Sequence, residues 1–177
     1  MTNLNELIYN WSFALFDLAR NSNNLPEIAN QAAEIVKIVK KNKAYLSFLN
    51  SYDINDIEKF KMIDKAFGNY HEYLINTIKL ASKQHTIKYL IEIFNKFVEL
   101  ANEKLNIKYG TIFTVKALTA AEIKKFESKI SKKLNSNVHL INEVTPEIIG
   151  GIKIKVDDFL IDNSVFGQLN KIKKQIN

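Results

Sequence analysis

Leu105-Asn106-Ile107-Lys108-Tyr109-Gly110-Thr111-Ile112-Phe113-Thr114-Val115-Lys116-Ala117-Leu118 is where this chain changes its period. Before it, apolar residues recur at helical spacing. From Lys108 to Leu118, β-branched and aromatic residues crowd together as they do in a strand. The punctuation changes at the same place. Gly68 and Pro26 are alone before residue 110, whereas four glycines and Pro146 lie at 110 or later. The 177 residues therefore read as two domains, 1–105 and 106–177. The expected fold is an N-terminal all-α six-helix bundle followed by a small α+β domain.

Outward toward the N-terminus, six helices are expected. Leu4, Leu7, Ile8, Trp11, Ala14, Leu15 and Leu18 share one face of the first, with Asn3 and Glu6 spaced as a capping box. Pro26 suits the first turn of a second helix burying Ala29, Ala32, Val36 and Val39. A short third helix spans Ala44 to Leu49. Asp53 is placed to cap a fourth, with Ile57, Phe60 and Ile63 or Met62 inward. A fifth runs from about Tyr70 to Lys83. The sixth, from Thr86 to about Leu105, carries Leu90, Ile91, Phe94, Val98, Ala101 and Leu105.

Toward the C-terminus the pattern is mixed. Thr119-Ala120-Ala121-Glu122 is a capping box opening a helix with Ile123, Phe126, Ile130 and Leu134 as its buried stripe. Val138, Leu140, Asn142 and Val144 alternate with His139, Ile141 and Glu143, as a strand does. Ile152, Ile154 and Val156 alternate with Lys153 and Lys155. Phe159-Leu160-Ile161 completes a hairpin around Asp157-Asp158. A last helix is expected from Ser164, with Val165, Leu169, Ile172 and Ile176 inward.

Composition narrows the chemistry. The absence of cysteine excludes disulfides, thiolate metal sites and cysteine nucleophiles. The net charge of +6 comes from 24 lysines, Arg20 and 19 acids. With 21 asparagines and 24 isoleucines, part of this bias fits A/T-rich codons. The excess charge is localised. Residues 1–105 hold 13 basic and 12 acidic side chains, and residues 106–177 hold 12 and 7. His71, His85 and His139 lack ligand spacing. Asp157, Asp158 and Asp162 fit turn formation and capping better than a metal or acid/base set. No metal, cofactor or active site is expected. No stretch approaches the ~20 apolar residues of a bilayer span, and the N-terminus lacks a signal peptide's basic segment. Direct membrane insertion is not expected.

One feature points to a protein partner. Tyr9, Phe13 and Phe16, at i, i+4, i+7, lie opposite the helical face centred near Trp11. The fifth helix likewise has a wide apolar arc that includes Tyr73, Leu74, Ile78 and Leu80, with Ile75 outside it. Two helices with surplus apolar surface form a candidate docking site for an amphipathic helix; the other reading of the three aromatics is a first helix sandwiched in the core by its neighbours.

The segment Thr145-Pro146-Glu147-Ile148-Ile149-Gly150-Gly151-Ile152-Lys153-Ile154-Lys155-Val156, with Leu160-Ile161-Asp162-Asn163-Ser164-Val165-Phe166-Gly167-Gln168-Leu169, resembles the C-terminal signature of the delta subunit of F-type ATP synthases, the oligomycin-sensitivity-conferring protein family. Trp11-Ser12-Phe13-Ala14-Leu15-Phe16-Asp17-Leu18-Ala19 is similar to the family's opening helix. Pro146, Gly150, Gly151, Asp162, Ser164 and Gly167 carry the late signature. Asn163 and Asp157 stand where the family favours glycine, and both tolerate left-handed φ. Phe166 replaces a usual basic residue.

The resemblance implies a non-catalytic stator subunit on the cytoplasmic face of the cell membrane. Its helical domain would bind the N-terminal helices of alpha subunits through the first and fifth helices, here Tyr9, Phe13, Phe16, Tyr73, Ile75 and Ile78. Its C-terminal domain would bind the C-terminal ends of the b subunits of the peripheral stalk, and the +5 charge suits an acidic stalk end. A tether in a related F-type-like motor is the nearest alternative. A basic nucleic-acid module is the other. That module is disfavoured because residues 106–177 contain no arginine, and Phe113, Phe126 and Phe159 sit in or beside apolar patterns.

Overall fold

The computed structural model describes residues 3–22, 24–148, 150–165 and 167. The chain divides into two compact units, Met1–Leu105 and Asn106–Asn177. The first contains α1 (Leu4–Asn21), α2 (Leu25–Lys41), α3 (Lys43–Asn50), α4 (Asp56–Phe67), α5 (Glu72–Lys83) and α6 (Leu90–Leu105). A 3₁₀ turn, Ile87–Tyr89, leads into α6.

The core of this unit is aliphatic and aromatic. Ile28, Ala32, Ile35 and Val39 of α2 meet Ile93, Phe94, Phe97 and Ala101 of α6, all buried in one cluster. Small residues let these helices approach closely, and the larger ones fill the remaining space. Polar bridges register the helices. Ser12 Oγ lies 2.6 Å from Ile8 O and 2.9 Å from Ile93 O, so its one proton is shared between α1 and α6. Ser82 Oγ donates to Leu49 O, tying α5 to α3. His71 N donates to Gln31 Oε1 at 2.6 Å, which fixes the entrance of α5 against α2. Lys59 is buried, and its Nζ donates to Ser51 O.

The buried arc of α1 centres on Ser12, Leu15, Phe16 and Ala19, turned by about one residue's 100° step from a face centred at Trp11. Leu4, Ala14 and Leu18 are consequently exposed. Asn3 caps α1 by accepting from Asn5 N rather than through a reciprocal pair with Glu6. Asn55, not Asp53, caps α4, because its side chain reaches Glu58 N at 2.9 Å. This cap places Ile63 and Phe67 inward and leaves Ile57 68% exposed and Met62 exposed. In α6, Ile93 and Phe97 join the buried stripe.

The second unit is a four-stranded sheet with α7 (Ala120–Leu134). Its strands are β1 (Ile107–Thr114), β2 (Asn137–Val144), β3 (Ile152–Val156) and β4 (Phe159–Asp162), in the order β2-β1-β3-β4. β1 pairs parallel with β2, from Ile107↔Asn137 to Thr114↔Val144, and antiparallel with β3. The parallel pair needs a crossover, which α7 supplies. Ile112, Val138, Leu140, Ile154 and Val156 form the buried face with Ile130; Ile123, Phe126 and Leu134 pack against them half-buried. The Thr119–Glu122 capping box is present with both reciprocal bonds.

β1 ends at Thr114, short of Leu118, and Val115 and Val144 are exposed. Asn142 explains that ending. Its side chain donates to Ile112 O and Thr114 Oγ1 and accepts from Leu118 N, which folds the chain back toward α7. α7 also covers the outer edge of β2: Ser131 Oγ accepts from Val138 N and Glu127 Oε1 from Leu140 N. Where Val138 and Leu140 have their donors taken, the edge is a poor template for another strand. Val165 is exposed rather than inward, and Leu169, Ile172 and Ile176 lie outside the described residues.

Candidate functional site

α1 presents its aromatics in two different environments. Tyr9 and Phe13 are 47% and 44% exposed, and their rings stack at 5.8 Å with 18° between planes. Phe16 is 8% exposed and belongs to the core, with its ring 6.2 Å from Phe13. The rotation of the α1 face causes this division. On α5, Ile78 is fully buried, while Tyr73 and Ile75 are half-buried against the core cluster. Phe16 and Ile78 therefore hold the unit together and do not offer free surface.

Tyr9 also lines an open cleft of about 500 Å³ with Asn5, Glu6, Ile8 and Lys96. This places it beside α6, whereas the Tyr73 ring packs on His71 at 4.6 Å. Lys96 is held by Glu99 at 2.8 Å, and that hydrogen bond leads the upward shift of its pKa. Leu80, 48% exposed on α5, adds apolar surface on the same flank as Tyr73 at i+7. It lies within the apolar arc of the fifth helix but outside the six residues that the resemblance implies as contacts. Counting exposure as well as hydropathy identifies it.

The signature residues of the second unit are structural. Gly150 N donates to Ile148 O, and Val165 N returns to Gly150 O at 3.0 Å. Gly151 has φ 83, and a Cβ there would collide with Asn163 O. Asp162 Oδ1 accepts from Ser164 N and Oγ, while Ser164 Oγ accepts from Gly167 N. Any side chain at 167 would strike the Asp162 carboxylate. Exposed Pro146 opens the 3₁₀ turn Pro146–Ile148. Asp157 adopts a left-handed φ of 49, as its place in the signature allows, whereas Asn163 does not; Gly151 has the positive φ at this junction. Phe166 lies outside the described residues.

The titratable candidates have local duties. His71 caps α5 by accepting from Tyr73 N. His85 stacks on Tyr52 at 3.8 Å, and His139 on Tyr109 at 5.6 Å. Asp157 pairs with Lys108 at 2.8 Å. Among the described residues, no three His, Cys, Asp or Glu side chains converge to hold a metal ion, and no helix is long and apolar enough to cross a membrane.

The sheet face turned away from α7 brings Phe113 opposite Lys153 and Leu160 opposite Lys155. With Asp157 and Asp158 these residues line an open cleft of about 550 Å³. Lys124, Lys125, Lys129, Lys132 and Lys133 are exposed on α7. The basic excess thus covers the outside of the unit, with apolar side chains among the lysines on the sheet.

The first unit is helical and bears exposed stacked aromatics, and the second is a small basic α/β unit. The family model for the ATP synthase delta (OSCP) subunit matches residues 10–176, and the chain belongs to that family. It is 53% identical over 99% of its length, and 98% of the relative's, to ATP synthase subunit delta of Metamycoplasma arthritidis. It is 29% identical over 94% of its length, and 92% of the relative's, to the Bacillus subtilis subunit. A chain in the cryo-EM structure of the Toxoplasma gondii mitochondrial ATP synthase hexamer shares the fold, with TM-score 0.64 at 14% identity, covering 96% of this chain and 97% of that one. The protein is accordingly a stator subunit of F-type ATP synthase and not the catalytic one.

Proposed function

We propose that the two units are the two ends of the stator link. The helices α1–α6 act as a six-helix bundle on the catalytic head, and Tyr9 and Phe13, with Tyr73 and Ile75, receive the amphipathic N-terminal helices of alpha subunits. The α/β unit receives the C-terminal ends of the stalk b subunits. The assembly lies on the cytoplasmic face of the cell membrane and couples proton transport to ATP synthesis or hydrolysis by holding the head against rotor torque. No cofactor takes part.

The exposed Tyr9–Phe13 stack carries this reading, because a solvated helix back rarely displays two stacked rings. Aromatic anchors of this kind dominate interface energies and slow release, which a loaded link requires. Titrating Tyr9→Ser/Phe13→Ser with an alpha N-terminal peptide tests it. Binding should weaken at least tenfold with the melting temperature nearly unchanged; undiminished binding would sink the assignment. At the stalk end, the lysine excess suits an acidic partner, so binding should fall with rising salt.

A further inference from the structure

The aromatic stack of α1 borders α6, and the border is acidic. Ser12 Oγ lies 2.9 Å from Ile93 O, and Tyr9 shares its cleft with Lys96, so α1 and α6 run antiparallel. On that register Glu6 stands level with Glu99, and Phe13 with Glu92. Glu92, Glu99 and Glu103 lie at i−4, i+3 and i+7 from Lys96, on the same flank of α6. Glu6 lines the cleft itself. Four carboxylates thus accompany Lys96 along this border.

Lys96 does not cancel them. Its Nζ is held by Glu99 at 2.8 Å, and that hydrogen bond, reinforced by the charges of Glu99 and Glu103, raises its pKa. Glu6, Glu92 and Glu103 form no ion pair among the described residues. Glu6 and Glu92 occupy first turns, where a carboxylate complements the helix dipole. That explanation fails for Glu103, which stands in the last turn of α6 and opposes the dipole there. Beyond the stack, Arg20 is closed by Asp17 at 2.6 Å. The cleft beside Tyr9 is open and measures about 500 Å³, enough for a long basic side chain. The exposed rings of Tyr9 and Phe13 offer such a cation their faces. An acidic border repels RNA and anionic lipid and attracts lysine or arginine.

We propose that the Tyr9–Phe13 surface selects a basic amphipathic helix, whose apolar anchors rest on the two rings while its lysine or arginine side chains reach into the α1–α6 cleft toward Glu6, Glu99 and Glu103. This rests on the docking of an alpha N-terminal helix proposed above and gives that helix its charge. The test titrates the full chain with a synthetic alpha N-terminal peptide at low and high salt. Binding should weaken about tenfold as salt is raised. Glu99→Gln/Glu103→Gln, which removes two exposed carboxylates and frees Lys96, should weaken low-salt binding about fivefold and flatten the salt dependence. Lys96→Gln should act in the opposite sense and tighten binding about twofold, which a merely structural role for Lys96 would not do. Replacing the peptide's basic residues with Gln should weaken binding to the natural chain and change binding to Glu99→Gln/Glu103→Gln little further. Salt-independent binding, full affinity of the folded Glu99→Gln/Glu103→Gln chain, or equal binding of the peptide stripped of its basic residues overturns the charge assignment. The docking reading survives those results if Tyr9→Ser/Phe13→Ser still weakens binding. Binding indifferent to Tyr9→Ser/Phe13→Ser, or no binding at all, overturns both.

Discussion

The two units bury their apolar side chains by different means. Among the described residues, the helical unit closes twenty-two buried apolar side chains into one cluster and the α/β unit six. The first has enough core to leave aromatics on its surface and remain folded. The second leans on exact backbone joins: the Asn142 bridge, the Thr119–Glu122 cap and the Gly151–Asn163 contact. Single substitutions should therefore act through volume in the helical unit and through backbone geometry in the α/β unit.

Phe16→Ser gives the largest expected effect. Removing a buried phenylalanine costs about 3–5 kcal/mol, and the new hydroxyl adds to that cost. Calorimetry should show the helical unit melting far lower, while Phe13→Ser, one turn away, barely moves it. Equal losses for the two would erase the distinction between core and docking aromatics.

Gly151→Ala comes next. Its positive φ and the collision with Asn163 O make a penalty of about 1–3 kcal/mol expected, confined to the α/β unit. Hydrogen exchange should quicken in β3 and β4 and stay unchanged in α1–α6. Uniform loss of protection would show that the units do not unfold separately.

Thr119→Ala should cost about 1 kcal/mol through the α7 cap. The Thr119 backbone and side-chain hydrogen bonds hold the Glu122 carboxyl below its usual range. A depressed carboxylate contributes stability above its unfolded pKa and loses it as pH falls through the folded value. The variant keeps the backbone bond and loses the side-chain one, so its acid limb should flatten in part between about pH 4.5 and the lower folded value.

The smallest effect concerns Tyr45. Burial, aided by the Asp64 charge, pushes its phenol from 10.0 to about 12. The folded state binds this proton more tightly, so the contribution is complete below pH 10 and is lost as pH rises through about 12. Ultraviolet titration of the seven tyrosines should lose its highest step in Tyr45→Phe. A profile unchanged by the substitution would contradict the burial.

Periodicity made most of the elements legible, because a helix stripe and an alternating strand each state which side faces inward. Ala29, Ala32, Val36 and Val39 of α2 and the Asp157-Asp158 hairpin follow from it, although Leu25, Ile28 and Ile35 of α2 are buried as well; the α7 capping box follows from its own local spacing. The rotation of α1 was not legible. Ser12 and Ala19 are weak in hydropathy, yet they sit deepest because they allow close approach to α6. Hydropathy alone consequently places Phe16 on the outer face with Tyr9 and Phe13. The parallel β1–β2 pairing was also hidden, since alternation fixes a strand's faces but not its neighbours. In the late signature, the pattern of glycine, aspartate and serine marked the junction, but only the geometry shows why each residue is required there.

The division of labour between the units is tested most directly by splitting the chain. Fragments 1–105 and 106–177 are purified, shown to be folded, and titrated separately with an alpha N-terminal peptide and with the C-terminal part of b. The first fragment should bind the alpha peptide as tightly as the full chain and ignore b, and the second should do the reverse. A folded first fragment that fails to bind the alpha peptide, or either fragment binding both partners, would contradict a link with one end for the head and one for the stalk.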